Sequence, residues 1–239
     1  MVYKIGVDAL GVWKPYTFPS PIDVIKTLIS LVKDGSLFIA IAVSLRRLAI
    51  GYLISLAIGL SLGLLIVRYK YLDENFSSLI LGLQTLPSVC WLPFAILWYG
   101  LNEKSIIFVI TIGSIFAVCM ATEAGIKNVN QLYVKAGKVM GARGIKLYWN
   151  VVIPSALPAI ISGMKQGWSF AWRALIAGEM LSATKGLGQI LMVGRDLADI
   201  SQVMAVMVII IVLGLVIDKL IFGSLEKNMR YKRGLDRNI

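Results

Sequence analysis

The 239-residue chain contains no histidine, which excludes a His-based catalytic dyad and a His-ligated zinc site. Charge is scarce. Asp, Glu, Lys and Arg make up 15% of the residues, against about 25% in a soluble domain. Cysteine is limited to Cys90 and Cys119. Both fall within apolar runs, so they read as small core or lipid-facing residues, with no disulfide framework. No G-x-x-x-x-G-K-[ST] phosphate loop is present; Gly186-Leu-Gly188 lacks the surrounding pattern and reads as a turn. The chain is therefore expected to bind no cofactor and to be no enzyme. Internal repeats, low-complexity stretches and a soluble domain boundary are also missing. Met1 to Lys14 lacks the basic n-region and apolar stretch of a signal peptide.

What the chain does have is apolar length: 58% of it is hydrophobic. A spanning helix needs about 20 mostly apolar residues. Leu48 to Val67 is one such run, flanked by Arg46 and Arg47 before it and Arg68 and Lys70 after it. It contains Gly59 and Gly63, a spacing that lets another helix approach closely. Asn75 to Asn102 is a second run, interrupted by Pro87 and Pro93 and read as a helix, a bend and a continuation. Glu103-Lys104 is a short hairpin connection to a third run, Ser105 to Thr122. Leu147 to Met164 continues past Lys165 and Arg173 to about Met180, and Ile200 to Ile217 is the last. The expected fold is thus all-α, a polytopic transmembrane helical bundle with five spans.

Before the first span, Pro21 to Asp34 places Ile22, Ile25, Leu28, Ile29 and Val32 at helical spacing, with Asp23, Lys26 and Lys33 between them. This reads either as a helix lying in the membrane interface or as a cap on the bundle. The net charge of +11 would suggest nucleic acid in a soluble protein. Here it sits between apolar runs, which points to cytoplasmic loops and no nucleic acid. Lys127 to Lys146 carries five cations and no acid. The tail after Leu225 carries Lys227, Arg230, Lys232, Arg233 and Arg237. Both are expected in the cytoplasm, two spans apart, and the segment before Arg46 is then expected outside. For a chain starting outside with no signal peptide, an N-terminal helix is expected to be missing from this sequence or supplied differently.

The informative pattern lies before the fourth span, in Tyr133-Val-Lys-Ala-Gly-Lys-Val-Met-Gly-Ala-Arg-Gly-Ile-Lys-Leu-Tyr-Trp-Asn-Val-Val-Ile-Pro154. Gln131 to Met140 predicts a short helix. Gly141 and Gly144 permit a sharp turn, and a second apolar-basic segment ends at Pro154. Such a helix–turn–helix suits a groove on a soluble partner. The pattern resembles the EAA loop of ABC importer permeases: Glu-Ala-Ala, three residues, Gly, nine residues, Ile-x-Leu-Pro. Gly141 takes the Gly position, and Ile153 and Pro154 close the motif. Lys135-Ala136-Gly137 stands where Glu-Ala-Ala is usual, so a role for the family's carboxylate does not carry over. Ser44 to Gly51, Leu86 to Gly100, Gly178-Glu-Met, Lys185 to Gly188 and Phe18 to Pro21 resemble the nitrate/sulfonate/taurine/bicarbonate branch, in the same order. The resemblance runs from about Trp13 to Leu225, and this family normally has six helices; the chain starts where its first is ending.

The resemblance implies a type I ABC importer permease fold and a permease subunit of a bacterial inner membrane. Its solute is expected to be a small anion such as a sulfonate, nitrate or taurine. It implies ATPase subunits that hold ATP and Mg, an extracytoplasmic solute-binding protein, and a second permease copy. The expected division is an N-terminal segment (1–45), a permease domain (46–225) with the coupling loop at 124–154, and a basic tail (226–239). The expected docking residues are Lys135, Ala136, Gly137, Gly141, Ala142, Arg143, Gly144, Ile153 and Pro154. Lys138, Arg143 and Lys146 read either as contacts to acidic ATPase residues or as topology determinants against lipid headgroups. Trp91, Trp172 and Glu179 are candidates for the solute path. The alternative for the tryptophans is an interfacial belt, and for Glu179 an ion pair with Arg173 or Lys185. Two other classes compete: a non-transporting membrane anchor or assembly protein with a basic interaction loop, and an intramembrane enzyme, which without histidine has poor support.

Overall fold

The computed structural model describes residues 19–182 and 184–232. The N-terminal stretch Met1 to Lys14, whose location was argued from charge, lies outside the described residues, as do Trp13, Phe18 and the end of the tail. All regular structure among the described residues is helical: α1 (Pro21–Lys33), α2 (Ser36–Arg68), α3 (Lys70–Thr85), a 3-10 turn (Ser88–Trp91), α4 (Leu92–Tyr99), α5 (Glu103–Lys127), α6 (Gln131–Val139), α7 (Ile145–Leu147), a π segment (Tyr148–Val152), α8 (Ile153–Leu181), α9 (Leu187–Asp196), α10 (Ile200–Asp218), a second π segment (Lys219–Gly223) and α11 (Ser224–Lys232).

Four helical runs are long and apolar enough to cross a bilayer: Ser36–Arg68, Glu103–Lys127, Ile145–Leu181 and Ile200–Met229. A fifth crossing exists only if α3 and the Ser88–Tyr99 arm act together, and those two arms meet at 97°. The proline-rich stretch thus folds as an elbow, sharper than a bent continuation. Pro87 removes a backbone donor at the break and biases Leu86 to extended backbone, and Leu86 has φ −73° and ψ 122°.

α2 differs from the expected span more substantially. It begins at Ser36, and its 33 residues reach about 50 Å at 1.5 Å per residue, well beyond a ~30 Å hydrocarbon core. The helix therefore runs straight through the boundary expected at 45/46. Arg46 and Arg47 do not end it, because both are neutralised by acids from other helices.

α5 is the centre of the bundle, held between α2 and α8. Each neighbour presents small residues to it, as expected where membrane helices associate by close van der Waals packing. From α2 come Gly51, Ser55, Gly59 and Gly63, all buried. A Cβ at Gly63 would lie 2.6 Å from the Thr122 Cβ and 2.7 Å from the Cys119 carbonyl. From α8 come Gly163, Gly167, Ala171, Ala174 and Gly178; a Cβ at Gly163 would collide with that of Ala121. The Gly59/Gly63 spacing thus receives α5. Ser55 and Ser114 share a buried hydrogen bond of 2.7 Å across the first interface. Leu48, Tyr52, Ile106, Ile110, Trp168 and Leu175 fill the core beside them.

α1 packs beside α10 and α2. Its N-terminus is set by Ser20, whose Oγ accepts from the Asp23 backbone N–H at 3.2 Å. Leu31 faces the bundle with Leu37, Ala40 and Leu187. Ile22, Ile25 and Ile29 stay exposed, so the apolar side divides between the bundle and the surroundings, a geometry open to both the interfacial and the capping reading. Hydrocarbon removes the penalty that water would place on the outward residues. α10 shows the same logic: only Ala205 and Val206 are buried along it.

Candidate functional site: a glycine-turn hairpin and the membrane cavities

The loop between α5 and α8 folds as a helical hairpin. Asn130 caps α6 by accepting from the Leu132 N–H at 2.9 Å. The helix ends at Met140, whose N–H reaches the Ala136 carbonyl at 3.0 Å, and the turn is closed by Ala142 N–H to the Gly137 carbonyl at 2.9 Å. Gly141 has φ 88° and Gly144 has φ 53°, the left-handed region that costs glycine nothing. The chain then passes through α7 and the π segment directly into α8, with Pro154 in its first turn. Proline removes one backbone donor there, and the π segment Tyr148–Val152 lies immediately before α8. Gly137 is the buried contact of the hairpin: a Cβ there would lie 2.8 Å from the Val151 Cγ2. α6 is thus pressed onto the segment that feeds α8.

Lys135, Ala136, Gly141, Arg143, Gly144 and Pro154 are exposed, while Ala142 and Ile153 are half-buried. The hairpin also has an apolar tip that no motif in the sequence marks. Val139 is 88% exposed, Met140 87% and Ile145 78%, and Lys135, Lys138, Arg143 and Lys146 lie exposed within the same hairpin. The signal was present as three apolar residues in a basic loop, but burial is invisible before the hairpin closes.

Glu179 sits at the opposite end of the bundle, fully buried. Its partner is neither Arg173 nor the Lys185 ammonium. Arg47 Nη1 donates to Glu179 Oε1 at 2.9 Å and to the Lys185 carbonyl at 2.7 Å. The Arg47 guanidinium also donates to Glu103 through Nε at 3.1 Å and Nη2 at 3.0 Å. The Ser44 hydroxyl lies 2.8 Å from both Glu179 oxygens and itself accepts from the Leu187 N–H at 3.0 Å. The Gly188 N–H completes the shell at 3.1 Å. The Lys185-Gly-Leu-Gly188 turn is shaped for this: a side chain at Gly186 would strike the Glu179 carboxylate, and one at Gly188 would lie 2.6 Å from the Glu179 Cβ. Residues from α2, α5, α8 and α9 are thereby clamped. A saturated carboxylate of this kind satisfies the requirement for buried charge and leaves no acceptor for a solute.

A second charged cluster lies at the loop end. Lys127 bridges Glu123, at 2.8 Å, and Asp73. Ser77 Oγ donates to Glu123 at 2.9 Å. The pair of clusters fixes α3 to α5 at one end and α2 to α8 at the other.

Two cavities open beside α8. One, of about 280 Å3, lies under the α3/α4 elbow and is lined by Gln84, Ser88, Trp91, Phe170 and Arg173 among others. Another, of about 530 Å3, runs between α8 and α10 and includes Lys165, Trp172, Arg173 and Asp218. The structure therefore places Trp91 and Trp172 at cavity walls and Glu179 at neither. Arg173 lines both. The sequence reading considered it only as a partner for Glu179, although its position eight residues beyond Lys165 sets the two cations on one helical face.

A multi-helix membrane bundle, built on small-residue contacts around α5 and carrying a glycine-turn hairpin at one end, is the class that this architecture defines. The family model for the binding-protein-dependent transport system inner membrane component matches residues 55–231, and the chain belongs to that family. It is 34% identical over 234 residues to a putative ABC transporter permease protein of Methanocaldococcus jannaschii, covering 92% of this chain and 88% of that protein. It is 28% identical over 234 residues to the putative aliphatic sulfonates transport permease protein SsuC of Bacillus subtilis, covering 96% of this chain and 83% of that one. Nitrate import and taurine transport permeases align as well. Among solved structures, an amino acid ABC transporter with histidines superposes with a TM-score of 0.69 at 19% identity, over 84% of this chain and 98% of that one. The fold is that of a type I ABC importer permease, and the chain is a multi-pass membrane permease subunit. The anchor and intramembrane-enzyme readings give way to it.

Proposed function

We propose that the hairpin from Gln131 to Pro154 docks on a separate ATPase subunit and moves α8 as that subunit closes, while a small oxyanion of the sulfonate kind passes beside α8. The observation that carries this reading is the exposed apolar tip of Val139, Met140 and Ile145, ringed by cations and continuous through the π segment with a spanning helix. An amphipathic element presented this way suits a groove with an acidic rim. The positive-inside bias places that end in the cytoplasm. ATP and Mg then belong to the ATPase subunits. The family description, a binding-protein-dependent system, supports an extracytoplasmic solute-binding protein at the Glu103 end. A second copy of the permease supplies the facing wall of the path. The sulfonate, nitrate and taurine names of the relatives support the solute class.

The test is co-purification and uptake. Met140→Asp puts a charge on an exposed tip without touching the bundle, and is expected to retain membrane insertion while losing ATPase association and transport. Gly141→Asp places a side chain at φ 88° and is expected to do the same. Wild-type association and uptake in both variants would refute the docking role.

A further inference from the structure

We infer that Arg173 is the anion-recognising residue of the membrane path, holding an oxyanion between the elbow cavity and the α8/α10 cavity. The inference rests on the importer reading above and names the group that its solute meets.

A charged residue in a spanning helix is costly and ordinarily marks a path or a pair. Arg173 lies eight residues before Leu181, the last residue of α8, or about 12 Å inside the helix end. It is not a member of a pair. Among the described residues no carboxylate lies within ion-pair distance of it, and the nearest acid in sequence, Glu179, is bound by Arg47 at 2.9 Å. Its Nε donates to the Ser169 carbonyl at 3.1 Å, and the guanidinium carbon stands 4.8 Å from the centre of the Phe170 ring. These contacts orient the group, which is exposed on the face of α8. Among the described residues, neither terminal nitrogen has a protein acceptor. A guanidinium whose two terminal nitrogens keep all four N–H donors has the geometry that binds carboxylate, sulfonate and phosphate oxygens in pairs.

The surroundings agree. In the elbow cavity Arg173 is the one charged side chain among the lining residues, with Gln84 and Ser88 as further polar groups. Its volume of about 280 Å3 falls at the small end of ligand sites, roughly 300–1,000 Å3, which suits a solute of a few heavy atoms. In the α8/α10 cavity the other cation, Lys165, is neutralised by Asp218 at 3.4 Å and Glu226 at 3.5 Å. Arg173 is left as the unbalanced positive charge where the two cavities meet.

The complete importer, reconstituted in proteoliposomes with its ATPase and binding-protein partners, provides the test. ATP-driven uptake of labelled ethanesulfonate and of nitrate is measured for the wild type, Arg173→Gln and Arg173→Lys, together with ATP hydrolysis. Arg173→Gln is expected to lower uptake at least about tenfold, the loss of one charge-assisted hydrogen bond, while assembly and hydrolysis continue. Arg173→Lys, which keeps the charge without the fork, is expected to fall between. Unchanged uptake in Arg173→Gln would assign the residue to lipid headgroups and overturn the inference alone. Loss of assembly and hydrolysis together with uptake would assign it a structural role and overturn it too. If the wild type takes up neither anion, the anion reading of the solute fails, and this inference fails with it.

Discussion

At the scale of single residues, the placement of Glu179 governs much else. Its carboxylate is buried and receives donors from Arg47, Ser44 and Gly188. Removing one partner of a buried pair leaves an uncompensated charge and costs about 3–5 kcal/mol, whereas replacing both by apolar residues is often neutral. In Glu179→Ala the Arg47 guanidinium keeps Glu103, but its bond to Glu179 is lost and the Ser44 hydroxyl and Gly188 N–H are stranded, so a loss of about 3 kcal/mol, at the lower end, is expected, and the double variant Arg47→Met with Glu179→Met is expected to recover part of it. Unfolding midpoints in detergent check both. Gly188→Ala is expected to resemble Glu179→Ala, since the new Cβ would lie 2.7 Å from the Ile176 carbonyl and push the turn away from the carboxylate.

The sequence showed that Glu179 was an unusual carboxylate near the end of a span. It did not show the partner, because Arg47 is 132 residues away and looked like the flank of an apolar run. A charge pair across helices leaves no periodic mark. The same blindness hid Arg173: its freedom becomes visible only when Glu179 is seen to be occupied.

At the scale of elements, legibility was better. Apolar runs of spanning length, the glycine turn at Gly141 and the proline break at Pro87 all follow from local chemistry, and each is where the residues put it. What local chemistry leaves open is direction and extent. The 97° elbow depends on α5 and α8: a Cβ at Gly113 of α5 would lie 3.0 Å from the Ser88 Cβ and 3.1 Å from the Ala174 Cβ of α8. The long N-terminal extension of α2 depends on acids from elsewhere. The small-residue faces yield a sharper expectation. Gly63→Val would drive α2 off the Thr122 side chain and the Cys119 carbonyl of α5 and is expected to lower the yield of folded protein strongly, as overpacking costs about 1–3 kcal/mol or more. Gly82→Ala, where a Cβ meets nothing within 4 Å, is expected to be silent. Size-exclusion profiles after a heat step distinguish the two.

At the scale of the whole molecule, the bundle has two charged ends with separate roles. One end holds the Arg47–Glu179–Glu103 clamp. The other holds the Asp73–Lys127–Glu123 bridge and the basic hairpin. α8 connects them as part of one helical run, Ile145–Leu181, so under the proposed docking a push on the hairpin is transmitted to the cavities along it. That arrangement requires the hairpin to face the compartment that contains ATP. The most direct measurement is therefore the side from which its tip is reached. Met140→Cys, in a Cys90→Ser background that removes the exposed native thiol, is treated with a membrane-impermeant maleimide in right-side-out and inside-out vesicles. Labelling is predicted in inside-out vesicles alone, and to be blocked by added ATPase subunit. Labelling confined to right-side-out vesicles would contradict the topology and the coupling mechanism built on it.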